Sequence, residues 1–319
     1  MLGVKYYFEK AGGLTLLRQY WRKGVLWIAI FQFVLLGKSR TALEILRLAV
    51  TFKTKQHLAK KYGKVLKEFN AKWQENLPHC ERKTVWIFWW QGEKAMPPLV
   101  RKCYESVREN LKEWEIVLLS EKNYQQYAEF PTYILEKLQK GITLTHFSDL
   151  LRLELLIKHG GLWLDATVLC TNGNIPKSIL KSELFVYCAQ KPGADGKATT
   201  MSSWLMWAKT NNRILMGTQA MLYAYWKKNK RLDEYFLLHH FMTIAMDFYK
   251  EDASKIPPFC NSVPHILLLH LFDEYDETYW DDLKRMVCFH KLTYKLDSKK
   301  CMVKETYYDM VINQKKIEE

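Results

Sequence analysis

Residues 142–171, ITLTHFSDLLRLELLIKHGGLWLDATVLCT, constrain the fold more than any other stretch. Leu150, Leu151, Leu153, Leu155, Leu156 and Ile157 are helix formers or core fillers, in a run long enough to favour a helix over a strand. Thr145 or Ser148 can cap its start, and Gly160-Gly161 can end it in a left-handed turn that glycine enters freely. Residues 162–169 are short, apolar and end in polar side chains, as a central strand of an α/β sheet does.

Two polar pairs interrupt this apolar unit. Asp149 and Arg152, three apart, share one face of a helix. Asp165 and Thr167, two apart, point the same way on a strand. One reading is a site for an anionic ligand, with the arginine on phosphate or sugar and the carboxylate on a metal, a ribose or a sugar hydroxyl. The other is an intrahelical ion pair beside a polar strand end. A bare D-x-[DST] is too common to decide between them.

The rest of the chain supplies context. At 319 residues it can bury a large core, and 48% hydrophobic residues exclude a disordered chain. The net charge of +14 implies an anionic partner. Most of it lies between Met1 and Gln74, where fifteen Lys and Arg face three Glu, interleaved with Leu14, Leu17, Trp21, Leu26, Trp27, Phe31 and Phe33. Basic residues with tryptophans and an apolar stripe suit a helix lying on an anionic membrane surface; a helical cap on the following domain is compatible with this. The boundary is expected near residue 78, giving a basic helical region (1–78) and an α/β domain (79–319). Nucleic acid is not the expected partner, because no binding motif accompanies the charge. The apolar run 25–36 is short of the ~20 residues that span a bilayer, and no signal-peptide cleavage site follows it. The seven cysteines show no C-x-x-C and suit a reducing compartment. The expected location is the cytoplasmic face of the plasma membrane.

Residues 85–90 (VWIFWW) predict a first buried strand ending at Gln91-Gly92. A helix over 99–110, a strand over 114–119 and helical structure around Pro131 follow, the βαβ order of a mostly parallel sheet. Trp90 and Gln91 are candidates for a nucleotide-base pocket at the carboxyl edge, with Trp89 expected in the core. Strands are expected at 184–189 and 203–207, and helices at 211–228 and 233–249, with Asp233 as N-cap of the last. Residues 191–200, KPGADGKATT, are the candidate lid. There is no H-E-x-x-H, G-x-S-x-G, Walker A or G-x-G-x-x-G.

In order, KTVWIFWWQGEKAMPPLVRKCYESV, SDLLRLELLIKHGGLWLDATV, SSWLMWAKTNN, LDEYFLLHHFM and FHKLTYK resemble the DXD-containing glycosyltransferases. The likeness is to the bacterial capsular polysaccharide synthesis branch near glycosyltransferase family 32, over roughly residues 83–295. It implies a GT-A-like α/β fold and retaining transfer from a nucleotide sugar, most often a UDP-hexose, to a lipid-linked oligosaccharide of capsule or surface polysaccharide. The alternative is a non-catalytic sugar- or lipid-binding scaffold. By that resemblance Asp149 holds the donor sugar, Arg152 and Lys291 the diphosphate, and Trp90 and Gln91 the base. Asp165, Thr167 and His290 would hold a weak Mn²⁺ or Mg²⁺, while Asp233, with Glu234 and His239, lies near sugar and acceptor. The second aspartate of the DXD is Thr167 here.

Overall fold

The computed structural model describes residues 13–73, 77–190 and 198–313. Three helices come first, α1 (Gly13–Arg22), α2 (Leu26–Leu36) and α3 (Arg40–Lys72). The chain continues through β1 (Thr84–Phe88), α4 (Pro98–Asn110), β2 (Glu115–Leu119), α5 (Thr132–Leu138), α6 (Leu144–His159) and β3 (Gly161–Asp165). Next are β4 (Val168–Cys170), α7 (Lys177–Lys181), β5 (Leu184–Cys188), β6 (Met201–Ala208), α8 (Arg213–Lys228) and α9 (Leu237–Phe248). It closes with α10 (Lys250–Ser254), α11 (Ile266–Leu269), α12 (Glu277–Met286) and β7 (Phe289–Lys291).

The central sheet has five strands in the order β2-β1-β3-β6-β5. β1 pairs in parallel with β2 and β3, and β6 runs antiparallel to both β3 and β5. Four strands therefore share one direction, and the sheet is mostly parallel, as expected. Strand alternation sorts side chains into two cores. Trp86, Phe88, Trp163 and Met206 join the core that contains α6, α8 and α9. Val85, Ile87, Leu162, Leu164 and Leu205 join the one built on Val100, Tyr104 and Val107 of α4. Burial on both faces explains why these strands are apolar throughout.

α6 begins one turn earlier than expected: Thr143, not Thr145 or Ser148, caps it, its side chain accepting from the His146 N–H. It ends at Gly160 and Gly161, whose φ values are +68° and +101°. A Cβ on Gly161 would lie 2.5 Å from the Thr84 carbonyl oxygen, so glycine is required where β3 starts against β1. Residues 162–169 are not the single strand expected. The chain turns at Ala166–Thr167, and β4 leaves the central sheet to pair antiparallel with β7.

The packing does not divide at residue 78. The second half of α3 belongs to the main core: Tyr62 and Leu66 are buried in one cluster with Trp226 and Phe241. Gly217 of α8 lets the helices approach, since a Cβ there would meet Leu66 at 2.6 Å. Earlier residues form only a small cluster of Val25, Ala29, Leu46 and Val50. Around it Trp27, Phe31, Val34 and Leu35 lie exposed, at 73, 63, 79 and 66%. Among the described residues no helix is long and apolar enough to cross a membrane. Residues 191–197 of the candidate lid lie outside the described residues.

Candidate active site

Parallel pairing brings the ends of β1 and β3 together, with Phe88 opposite Asp165, so the Trp89–Gln91 loop shares the carboxyl edge with Asp165. Asp165 follows Trp163 by two residues and therefore points to the face covered by α6. Arg152 comes down to it from α6. One guanidinium nitrogen, Nη2, lies 3.1 Å from Asp149 Oδ1 and 3.4 Å from Asp165 Oδ1. Nε donates to the Ser148 carbonyl oxygen at 3.2 Å, and Nη1 donates to the Ser203 carbonyl oxygen. Trp163 lies beneath, its ring centroid 4.9 Å from the guanidinium carbon, and its indole N–H donates to Asp165 Oδ1 at 3.1 Å. Arg152 is 3% exposed; Asp165 keeps about a third of its side chain open.

The second carboxylate is deeper. Burial works against ionisation of Asp149 and is the largest single effect, yet Arg152 and then His146 outweigh it and hold the carboxyl below its ordinary value. His146 is oriented by Trp226, whose indole N–H donates to Nε2 at 2.8 Å. Nε2 is then an acceptor, so the ring proton sits on Nδ1, 3.3 Å from Asp149 Oδ2.

The other side of Asp165 is closed by β7. Lys291, paired with Val168, extends Nζ to 3.4 Å from Asp165 Oδ2 and donates to Thr167 Oγ1 at 2.5 Å and to the Leu292 carbonyl oxygen at 3.3 Å. The predicted Asp149, Arg152, Asp165, Thr167 and Lys291 thus converge at one place.

Three predicted residues, His290, Asp233 and Trp89, fall differently. His290 alternates with Lys291 on β7 and so faces away from Asp165. It is fully buried against Trp280, 5.7 Å between ring centroids, and desolvation pushes its imidazole down to about 4. The expected donor set of Asp165, Thr167 and His290 therefore does not assemble. Thr167 accepts from an ammonium, and no group of three His, Cys, Asp or Glu able to hold a metal exists among the described residues. The residues present do not fit a divalent-ion site. Asp233 neither caps α9, which starts at Leu237, nor reaches Asp165; its carboxylate lies 3.3 Å from Arg22 Nη1 of α1. Trp89 is half-buried rather than core, its ring edge-on to Tyr294 at 5.5 Å. Trp90 packs on Phe88, Tyr124 and Phe147 and is half-buried, leaving Gln91 exposed beside it.

Beyond these, His239 is a residue that the resemblance put near sugar and acceptor, while Tyr235 carried no sequence signal of its own. His239 Nε2 is 3.5 Å from Ser203 Oγ. Its pKa is lowered first by desolvation, opposed by Asp149 and pushed down further by Arg152. Burial pushes the Tyr235 hydroxyl up, and the Asp149 and Asp165 carboxylates push it in the same direction. Both lie just before or on α9, which returns to the sheet from far along the chain. A cleft of about 610 Å³ lined by Thr171, Asn172, Tyr187 and Lys284 shares no residue with this cluster.

Fold and site together define an α/β protein that presents a carboxylate pair and two fixed cations at the carboxyl edge of its sheet, where such folds bind ligands. The comparisons give the family. The model described as "Capsular polysaccharide synthesis protein" matches residues 42–311, and the chain belongs to that family. Two curated relatives are the "O-glycosyltransferase braB" of Annulohypoxylon truncatum and the "O-glycosyltransferase PaGT" of Phomopsis amygdali. The first is 36% identical over 107 residues, 30% of this chain and 25% of the relative. The second is 24% identical over 188 residues, 53% of this chain and 45% of the relative. The chain thus spans less than half the length of either. Among solved structures, the "PaToxG Glycosyltransferase" matches at 15% identity over 82% of this chain and 97% of that one, with a TM-score of 0.35. The family is shown by its model, and both curated relatives are named as O-glycosyltransferases.

Proposed function

We propose that the chain transfers a sugar, with retention of configuration, from a nucleoside-diphosphate donor, most simply a UDP-hexose, to a lipid-linked oligosaccharide in surface-polysaccharide assembly. The observation that carries this reading is the Asp149–Arg152–Asp165 cluster at the carboxyl edge. Glycosyl transfer requires that charge developing on the leaving diphosphate be met by groups already in place. Arg152 meets that need, because five protein oxygens and an indole hold its guanidinium before any ligand arrives. Asp165 and Asp149 offer acceptors that fix donor-sugar hydroxyls. The C1–phosphate bond breaks, the acceptor hydroxyl attacks from the same face, and its proton passes to the departing diphosphate. No protein base is then needed. Trp90 and Gln91 would flank the base.

The acceptor side of the proposal is a membrane surface. α2 exposes Trp27, Phe31, Val34 and Leu35, and a groove of about 440 Å³ lined by Leu14, Leu17, Trp21, Leu26, Arg18 and Arg22 runs beside it. Exposed apolar side chains next to guanidinium groups suit the boundary between anionic headgroups and acyl chains.

A thermal-shift panel of UDP-, GDP-, CDP- and dTDP-sugars tests the donor site. A ligand at about 100 times its Kd adds about 2.7 kcal/mol of stability. One nucleotide family should raise Tm, and the shift should vanish in Asp165→Ala and Arg152→Ala. No shift with any nucleotide in folded protein would favour a non-catalytic scaffold.

A further inference from the structure

We infer that Lys291 stands in for the divalent cation of a DXD site, and that the chain binds its donor diphosphate without metal. The inference rests on the glycosyltransferase reading above and concerns how that site is charged. Three features coincide. The carboxylate that would complete a D-x-D is Thr167, whose hydroxyl accepts from Lys291 Nζ at 2.5 Å. The same nitrogen lies 3.4 Å from Asp165 Oδ2, so an ammonium sits between the two side chains that would otherwise share an ion. The imidazole that could have added a third ligand, His290, is turned into the core by strand alternation.

The charge is conserved by this replacement. A second aspartate with a divalent ion sums to a single positive charge, and a threonine with a lysine sums to the same. A metal entering here would have to displace the ammonium or stand beside it, where like charges repel. Lys291 is held in place by Thr167 and by the Leu292 carbonyl, while its contact with Asp165 is the longest of the three. That is the contact a phosphate oxygen would exchange with. Lys291 and Arg152 would then grip the diphosphate from either side of Asp165, one as a point charge and one as a planar fork.

Binding of UDP, GDP, CDP and dTDP is measured by calorimetry in chelator and again with Mn²⁺. The expected result is one diphosphate that binds in chelator, with a Kd that Mn²⁺ changes less than about threefold. Lys291→Met should weaken it roughly 10–100-fold, the cost of one charge-assisted contact, while Lys291→Arg keeps most of it. Thr167→Asp combined with Lys291→Met rebuilds the paired carboxylates. That variant should take up Mn²⁺, seen by electron paramagnetic resonance, and bind the diphosphate only when Mn²⁺ is present. Wild-type binding that requires Mn²⁺, or unchanged binding in folded Lys291→Met, overturns the inference and leaves the glycosyltransferase reading standing. Absence of binding in every condition overturns that reading instead.

Discussion

Arg152 is the residue on which the site turns, because its five acceptor atoms come from three segments: the Ser148 carbonyl and hydroxyl and Asp149 on α6, Asp165 ending β3, and Ser203 on β6. A lysine keeps the charge but cannot reach all of them. Arg152→Lys should therefore fold, lose about 1–3 kcal/mol of stability through unpaired buried acceptors, and release nucleotide from the donor at least ~100-fold more slowly. Denaturant melts and a diphosphate-release assay measure the two effects separately. Buried histidines set the response to acid. Desolvation pushes both His290 and His240 down to about 4, with Glu234 opposing it at His240. Between about pH 6.5 and 4 the unfolded chain binds protons there that the folded chain does not, so stability falls as pH drops through that window. The loss at pH 5 is roughly 1–2 kcal/mol per histidine. Asp149 acts in the same direction at lower pH: its depressed pKa contributes stability that is present above the ordinary carboxylate range and is lost as pH falls below it. Equilibrium unfolding at pH 7 and pH 5 should show the difference, and His290→Asn should shrink it.

At the scale of elements, the turn from α6 into β3 positions the cluster. Gly161 combines a φ of +101° with a backbone oxygen 2.5 Å from any added Cβ. Gly161→Ala must move β3 away from β1, and a cost of at least ~2 kcal/mol follows, with lost nucleotide binding at temperatures where the variant is still folded. A Tm equal to wild type would count against this account of the turn. Much of this was legible beforehand. The helix, its glycine stop and the apolar strand follow from composition and period, and Asp149 and Arg152 share a helix face by spacing alone. The break at Ala166–Thr167 was not legible, since 162–169 is continuously apolar apart from Asp165 and Thr167. Pairing with β7, more than a hundred residues later, draws β4 out of the sheet. That partner also determines that Lys291, not His290, faces Asp165.

For the whole molecule, the first helices split into two roles. The distal half of α3 completes the main core through Tyr62 and Leu66, and its Lys55 pairs with Asp247 of α9 at 3.2 Å. α2 packs on α3 through Ala29, Leu46 and Val50, while the end of α1 and the following turn reach the 233–234 loop through Arg22–Asp233 and Lys23–Glu234 at 2.7 Å. Removing residues 1–78 should leave an aggregating protein, because it strips large side chains from the core. The more telling variant is Trp27→Glu with Phe31→Glu. It should leave Tm within about 1 °C, since both side chains are exposed, yet abolish sedimentation with vesicles containing anionic lipid. Retained vesicle binding would place the membrane contact elsewhere.

The amino-acid sequence by itself determined the α/β class, the helix–glycine–strand unit, the basic character of the first 74 residues and the motif order that names the family. These are local properties: periodicity, backbone permissiveness and residue order act over a few to a few tens of positions. Only the tertiary structure decided that Asp233 pairs with Arg22, that His290 is buried, and that Lys291 lies beside Thr167. Each of those depends on which side of a short strand or loop meets a partner more than a hundred residues away. A shift of one residue reverses that facing, and nothing in the local sequence opposes the shift.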